Sequence, residues 1–589
     1  SALEEVVVVG FGTQKKVNLT GAISHVGKEA FENRPVANIG QALQELVPNL
    51  NITFGNGSPN STPGFNLRGG TSMSYNSNTG VFESVNGDPL VIIDGVESST
   101  GALNQLNPND IMDMSFVKDA SAAAIYGTKA AYGVILVRTK RGEFNQRGKI
   151  AYNFDSNFDT PSGLPDILNA YEIQKSGMDR TLWTNGKPGT ADEKKLEMIQ
   201  KYMDNPSPEN AWYQEGNSII WVANVNPFEE AVKKWTPMQK HTLNLSGGAE
   251  SINYYISGGL QNQSGMYKIN TDKLKRYNAL MNINAKVNNW FSVFGKIGFD
   301  QTNFNSPYIV GGKGSIWSAM MGETNKNINM PIQTGPNDPL PNTYTDNILA
   351  WLSYGANNQS MDRRVSLLIS PEFTLIPNAL KLKADLSYQP QSYSLSRYSP
   401  KFNQVVDSWQ YTSQQAEAAE NRAYFDNNNT NKYLVNIYAD YKKTWAEKHN
   451  FSTVVGYNQE QTKFNQITNT FRKLISPDIQ NPDAAEDPSL HTVSRNAYTL
   501  AGRAVFGRVN YNFAEKYFFE SNLRYDGSAK FTEKDRFVTF PSFSAGWRIS
   551  QEDFMAGTKN WLNELKLRGS WGQLGNQPSS IYPYQATMN

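Results

Sequence analysis

The stretch SINYYISGGL, residues 251–260, alternates: Ile252, Tyr254, Ile256 and Leu260 are apolar at even positions, while Ser251, Asn253 and Ser257 at odd positions are small or polar. A repeat of two puts successive side chains on opposite faces of a strand, so one face is oily and the other polar. The same repeat returns in ALKLKADLSY (379–388), where Leu380, Leu382, Ala384, Leu386 and Tyr388 oppose Lys381, Lys383, Asp385 and Ser387. It returns again in RAVFGRVNYNF (503–513) and ELKLRGSWG (564–572). About thirteen such segments can be read, each about 10–14 residues long, which exceeds ordinary strands and suits a tilted membrane-spanning strand.

The connections between these segments differ in length. Short polar ones, such as Glu250-Ser251 and Asn288-Asn289, contrast with long ones from Pro161 to Met238, Asn303 to Asp362 and Gln461 to Tyr498. Short turns at one end and long loops at the other are how outer-membrane β-barrels are built. Within the first long loop, ADEKKLEMIQKYM reads as a helix. The composition, with 12% aromatic residues, 45 Gly and only 19% charged, fits such a barrel, and it fits a large secreted glycan-binding β protein as well. Soluble sandwiches and propellers also alternate, but strand length and loop asymmetry argue against them, and no repeat of about 40–50 residues is found.

Charge and cysteine content exclude several classes. With 55 Lys+Arg against 54 Asp+Glu the formal charge is +1, which removes the electrostatic case for a nucleic-acid partner. Without cysteine there is neither a disulfide framework nor a thiolate metal site. The four histidines, His25, His241, His449 and His491, are scattered and form no metal-binding spacing. SFSAG (542–546) has Ser542 where the first glycine of a nucleophile elbow belongs, and the glycines at 311–314 lack phosphate-loop spacing. No catalytic residue, metal or cofactor is expected.

Before residue 148 the pattern is mixed α/β. NIGQALQELVPNL puts Ile39, Leu43 and Leu46 on one helical face, with Asn38 to cap it. PLVIIDGV and GVILVRTK are continuous apolar runs suited to strands buried on both faces, and DASAAAIYG reads as a small-residue helix capped by Asp119 and stopped at Gly127. Ahead of them stands EEVVVVGFG, in which Val6, Val7, Val8 and Val9 form a bare β-branched run that prefers extended backbone.

NLRGG (66–70), DPLVIIDGV (88–96), the long run from Leu106 to Gly142, FPSFSAGWRIS (540–550) and LKLRGSWGQLGNQ (565–577) together resemble the SusC/RagA family of TonB-dependent outer-membrane transporters. The resemblance runs from end to end. It implies a membrane β-barrel of about 22 strands when complete, about 13 of them in this chain and roughly nine outside it, with an N-terminal α/β plug domain inside the barrel. The implied divisions are a TonB box and linker at 1–15, the plug at 16–147, and the N-terminal part of the barrel at 148–589.

Residue roles follow from the same resemblance. Glu5, Val6, Val7, Val8, Val9 and Gly10 resemble the TonB box, handed to TonB, the periplasmic energy-coupling protein; a stiff unpaired run can add to a partner's sheet through main-chain bonds. The alternative is an ordinary plug strand. Arg68, Gly69, Asp94, Gly95, Asp119, Tyr126 and Gly127 belong to the plug signature, mainly as turn, cap and close-approach residues, with Arg68, Arg138 and Arg141 expected to pair with acids of the barrel. Trp547, Trp561 and Trp571 fit an aromatic girdle, and Trp212, Tyr213 and Trp221 in the first long loop are candidates for substrate contact or for packing within the loop. The implied partners are TonB, a SusD-like surface lipoprotein, outer-membrane lipid and an oligosaccharide or peptide cargo. The implied function is active import of a nutrient, most simply a glycan; a siderophore or cobalamin receptor and a secreted glycan-binding protein or enzyme are the rivals.

Overall fold

The structure, a computed structural model, describes residues 6–581 apart from 11, 16–20, 33, 35, 56, 68–71, 77–80, 86, 187–189, 309–315, 317–318, 321–327, 412–419, 477–484 and 578–580. Arg68, Gly69 and Glu5 therefore lie outside the described residues.

The valine run, whose resting conformation the sequence leaves open, is paired. Strand β1 (Val6–Val9) pairs antiparallel with β2 (Gly12–Lys15), Val6 opposite Lys15 and Val9 opposite Gly12. Gly10 makes the tight turn with a left-handed φ of 57°, so the run finds its first partner within its own chain.

The plug follows. Its elements are β3 (Ile23–Gly27), α1 (Ile39–Leu43), the hairpins β4 (Leu50–Thr53) with β5 (Gly64–Leu67) and β6 (Ser72–Asn76) with β7 (Val81–Val85), then β8 (Leu90–Ile93), β9 (Val96–Ser98), α2 (Thr100–Gln105), β10 (Ile111–Val117), α3 (Ala120–Ala123) and β11 (Val134–Thr139). One five-stranded sheet, in the order β3-β10-β11-β8-β9, carries them. The two continuous apolar runs are β8 and β11, which pair parallel at the sheet centre, as strands covered on both faces should. Phe31, Leu103, Phe116 and Ile135 are among the fully buried side chains of its core. Asn38 caps α1 by accepting from the Gln41 amide at 3.0 Å. The helix is shorter than its sequence pattern suggests: the chain leaves it at Gln44, Glu45 takes a positive φ, and Leu46 is left exposed.

The remainder is built on one sheet of thirteen antiparallel strands in chain order. It begins with β12 (Lys149–Asp159). The small hairpin β13 (Trp212–Glu215) and β14 (Ser218–Trp221) belongs to the first loop. The sheet continues with β15 (Thr236–Gly248), β16 (Ile252–Ser264), β17 (Lys273–Lys286), β18 (Phe291–Pro307), β19 (Asn357–Ile376), β20 (Leu380–Ser399), β21 (Arg422–Trp445), β22 (His449–Arg472), β23 (Thr492–Phe513), β24 (Tyr517–Ser528), β25 (Phe537–Arg548) and β26 (Lys566–Gly572). Strands β12 and β26 are its two edges. Short turns at 249–251, 287–290, 377–379, 446–448 and 514–516 lie at one end, and the long connections 160–235, 308–356, 400–421 and 473–491 lie at the other. Strands β21 and β22 reach 24 residues each, and with β23 they take in residues 461–472 and 492–498, which the sequence reading left in a loop. Those outer parts are polar on both faces, as in Asn427-Asn428-Asn429, so alternation vanishes there although the ladder continues.

Burial in this wall is inverted relative to a soluble sheet. Leu243, Ile369, Val455, Val505 and Leu523 are exposed, while Thr242, Asn282, Asn436, Arg508, Asn522 and Ser542 are buried. Polar residues face the plug and apolar ones face outward, the arrangement of a sheet whose outer solvent is lipid. Among the described residues no helix is long and apolar enough to cross a membrane, which says nothing of a β-barrel.

The long connections fold on their own cores. Helices α4 (Ala170–Asn185) and α5 (Thr190–Asp204), the second being the helix expected from sequence, pack around Ala170, Ile199 and Val222. Helices α6 (Pro227–Ala231) and α7 (Ile348–Ser353) pack around Phe228, Trp351 and Phe402.

Phe116→Ala is expected to cost the plug about 3–5 kcal/mol, the range for emptying a fully buried aromatic site. Amide hydrogen exchange should show the plug sheet losing protection while strands β16 to β22 keep theirs.

Candidate functional site

The plug is held to the wall along two seams. In the first, Asp94 and Gly95 form the two-residue turn between β8 and β9, both with positive φ, 52° and 88°, a geometry that favours an Asp-Gly pair. The turn aims the Asp94 carboxylate at three donors: the Thr139 amide at 2.9 Å, the Thr139 hydroxyl at 2.8 Å and Lys296 Nζ of β18 at 2.5 Å. Both charged side chains are buried. Burial alone would raise the Asp94 carboxyl, but Lys296 and Arg141 outweigh it and hold it below its usual range. Around this pair, Asn107 donates to Thr242, Tyr255 donates to Asp110 at 2.9 Å, and Asn282 donates to the Lys140 carbonyl at 2.7 Å.

The second seam is the DASAAAIYGTK stretch. Asp119 caps α3 through the Ser121 amide at 3.2 Å and also accepts from Ser570 at 2.8 Å. Asn522 and Ser542 both donate to the Ser121 carbonyl, and Arg524 donates to the Ile125 carbonyl at 3.0 Å. Thr128 gives its amide and hydroxyl to Asp526 at 2.9 and 3.0 Å. Gly127, with φ of 69°, lies so close to the wall that a Cβ would collide with the Asp526 carboxylate and with Arg524. The hydroxyl of the buried Tyr126 bonds to the backbone of Gly10, which ties this seam to the valine hairpin.

Between the seams lies a chamber of about 690 Å³, bounded by the plug and by strands β17 to β24. Gly10 and Gly12 of the hairpin line it, together with Glu97, Lys129, Asp385 and Glu460. Lys129 crosses the chamber wall, pairing with Glu97 at 2.9 Å and with Glu460 of β22. Burial opposes ionisation of Glu97, yet Lys129 and Lys432 outweigh it and hold that carboxyl at about 2. For Lys129 burial works downward and Glu460 with Glu97 work upward more strongly, so its ammonium is stabilised.

The arginines are placed differently from expectation. Arg138 is paired within the plug, its Nε 2.8 Å from Asp113 on the neighbouring strand β10. Arg141 does reach the wall, with its guanidinium 3.9 Å from the centre of the Phe294 ring. The seams rest instead on Lys296, Asp526, Arg524 and Glu460 of the wall and on Thr128 and Lys129 of the plug, none singled out from sequence. Arg524 and Asp526 carried a signal: they stand two residues apart on the polar parity of a strand, where an unpaired charge needs a partner within the lumen. Trp212, Tyr213 and Trp221 are brought together in the loop layer. Trp221 is buried and bonds through its indole N–H to the Val406 carbonyl, Tyr213 is buried beside Ile199, and Trp212 meets Trp409 edge-on at 4.8 Å.

A small sheet domain seated by polar seams against a wall with an apolar outer face is the arrangement of a plugged outer-membrane β-barrel. Residues 15–134 match the TonB-dependent Receptor Plug Domain family. The chain is 26% identical to TonB-dependent receptor P26 of Formosa agariphila, over 99% of this chain and 54% of that protein, and 26% identical to TonB-dependent receptor SusC of Bacteroides thetaiotaomicron, over 98% and 54%. Its fold is similar to the RagAB peptide importer in the open-open state, with a TM-score of 0.78 at 22% identity over 99% of this chain and 63% of that one. It is less similar to the siderophore receptor PirA from Acinetobacter baumannii, with a TM-score of 0.51 at 13% identity over 96% and 62%. The chain is similar to SusC and RagAB along nearly its whole length, and it spans about half the length of the curated relatives it matches.

Asp94→Asn leaves Lys296 buried without its counter-charge, which is expected to cost about 3–5 kcal/mol of plug seating. Limited proteolysis of the plug in the folded protein should speed up accordingly. Asp94 and Glu97 both have depressed carboxyl pKa values, so their contribution is fully present above about pH 4.5 and falls away as pH drops toward about 2. Plug protection measured against pH should fall in that window.

Proposed function

We propose that the whole protein imports a nutrient across the outer membrane, driven by TonB acting on the Glu5–Gly10 segment, with a SusD-like surface lipoprotein delivering the cargo over the long-loop end. The observation that carries this reading is the position of the valine hairpin. A strand-forming segment that is paired only with its own neighbour, and whose turn lines the chamber beside the plug, can be withdrawn without unpicking the plug sheet. Once opened, β1 offers a full row of main-chain donors and acceptors to a partner's sheet. Arg508 of β23 and Ile125 of the plug bracket Gly10, so a pull on the hairpin is felt by both the wall and the second seam.

Near-neutral charge supports an oligosaccharide as cargo. A peptide is the second reading, favoured by a chamber lined with both signs of charge and by the packing of Trp212 and Trp221 into the loop core, which takes those rings away from sugar stacking.

Deleting Glu5–Gly10 from the full-length protein should abolish uptake while surface binding of the same cargo persists. Uptake equal to wild type would refute the role given to the segment. Offering a defined glycan and a defined peptide mixture side by side separates the two cargo readings.

A further inference from the structure

At the short-turn end of the wall, one connection among the described residues breaks the pattern. Residues 549–565 join β25 to β26 through 3-10 turns at Ile549–Gln551 and Asp553–Thr558, where the other strands are joined by three or four residues. The segment is pinned at both ends. Glu552 accepts from the Tyr517 hydroxyl at 2.7 Å and the Trp547 indole N–H at 3.0 Å, and pairs with Lys516 at 3.0 Å. Near its other end, Glu564 is gripped by Arg548 through Nε at 2.9 Å and Nη2 at 2.8 Å.

The Glu552 anchor sets the side of the wall on which the first turn lies, whereas Arg548, which holds Glu564, is on the buried parity of β25. Tyr517 and Trp547 are on the outward face, their rings stacked with centroids 6.5 Å apart. They belong to a belt of outward aromatics at this end, with Trp290 stacked on Phe373 and Trp445 on His449. Since Glu552 is bonded to outward side chains, the turn that follows it lies on the outer side. There it presents Phe554 and Trp561, which are 69% and 75% exposed, with exposed Leu565 nearby and Lys559 between them. Much of its backbone is satisfied internally: Met555 N–H bonds to the Glu552 carbonyl and Leu562 N–H to the Thr558 carbonyl, while the Thr558 hydroxyl bonds to the Met555 carbonyl.

We propose that residues 549–565 form an interfacial anchor, with Phe554 and Trp561 inserted at the headgroup level of the periplasmic leaflet of the outer membrane. The occupant is the phospholipid surface itself, because the two rings continue a belt that lipid already covers. Aromatic side chains with little competing backbone polarity are what such an interface accepts. The proposal rests on the outer-membrane location and is independent of the import cycle.

Residues 1–589 contain no cysteine, and with any cysteine elsewhere in the full-length protein replaced by serine, a single introduced thiol can be labelled uniquely. Phe554→Cys and Trp561→Cys, each carrying a bimane label, are reconstituted as full-length protein in vesicles of phospholipid brominated at shallow acyl positions, with heat-modifiable gel mobility confirming the fold. Label emission at both sites should fall about twofold or more relative to unbrominated lipid, with little quenching by iodide on either side. Glu447→Cys, on the exposed turn between β21 and β22, should show the opposite pattern. Iodide-sensitive labels at 554 and 561 would place the segment in water, and labels shielded from both quenchers would mean that protein covers this face. Either result overturns the proposal.

Discussion

Lipid supplies no hydrogen-bond partner, so every backbone group on the membrane side of this wall must be satisfied by the next strand. That single constraint accounts for most of what the sheet does. The ladder runs without a crossover from β12 to β26, and each strand pairs with its chain neighbour, since an out-of-order strand would leave an edge in hydrocarbon. Register is fixed by the same requirement. A slip of one residue would turn Leu243, Val505 and Leu523 inward and send Thr242, Arg508 and Asn522 into lipid.

Once the outward face is committed to apolar groups, the inward face must carry the polar ones, and these need partners. The plug supplies them. Its carbonyls at Ser121, Ile125 and Lys140 and its carboxylates at Asp94 and Asp110 meet amides, hydroxyls and cations of the wall. The plug is therefore a solvent for the barrel interior as much as a stopper within it. Its own core, centred on Phe116 and Ile135, is apolar, and a second apolar cluster is shared with the wall, where Val117, Ile125 and Val134 pack with Val454 and Phe506.

Legibility in the sequence follows this division. Alternation exposed thirteen strands because one face is lipid, and it failed in the outer parts of β21 to β23, where both faces meet water and the pattern has nothing to record. Asp94-Gly95, Asn38 and Asp119 were readable because turn and cap chemistry is local. The seam partners were not: Lys296 lies 202 positions from Asp94, and Asp526 lies 398 from Thr128, distances across which no spacing rule operates. Tyr255 broke the apolar parity of the opening strand for the same reason, since its ring points inward to place a hydroxyl on Asp110. Pairing of the valine run with Gly12–Lys15 was local yet missed, because a four-residue edge with a Gly turn reads equally well as a linker.

The plug's hold on the wall is graded. Asp94 and Lys296 are fully enclosed, and separating them would strand a charge in a medium that cannot solvate it. The Thr128–Asp526 contacts are likewise buried and doubled by an amide and a hydroxyl. Lys129, Glu97 and Glu460 are different: each side chain keeps about a quarter of its surface open to the chamber, so water can take over as the ions part. The valine hairpin touches the second seam, with Gly10 against Ile125 and Arg508. The contacts that water already reaches part at least cost, and the buried pairs of both seams are the ones whose separation carries a desolvation penalty.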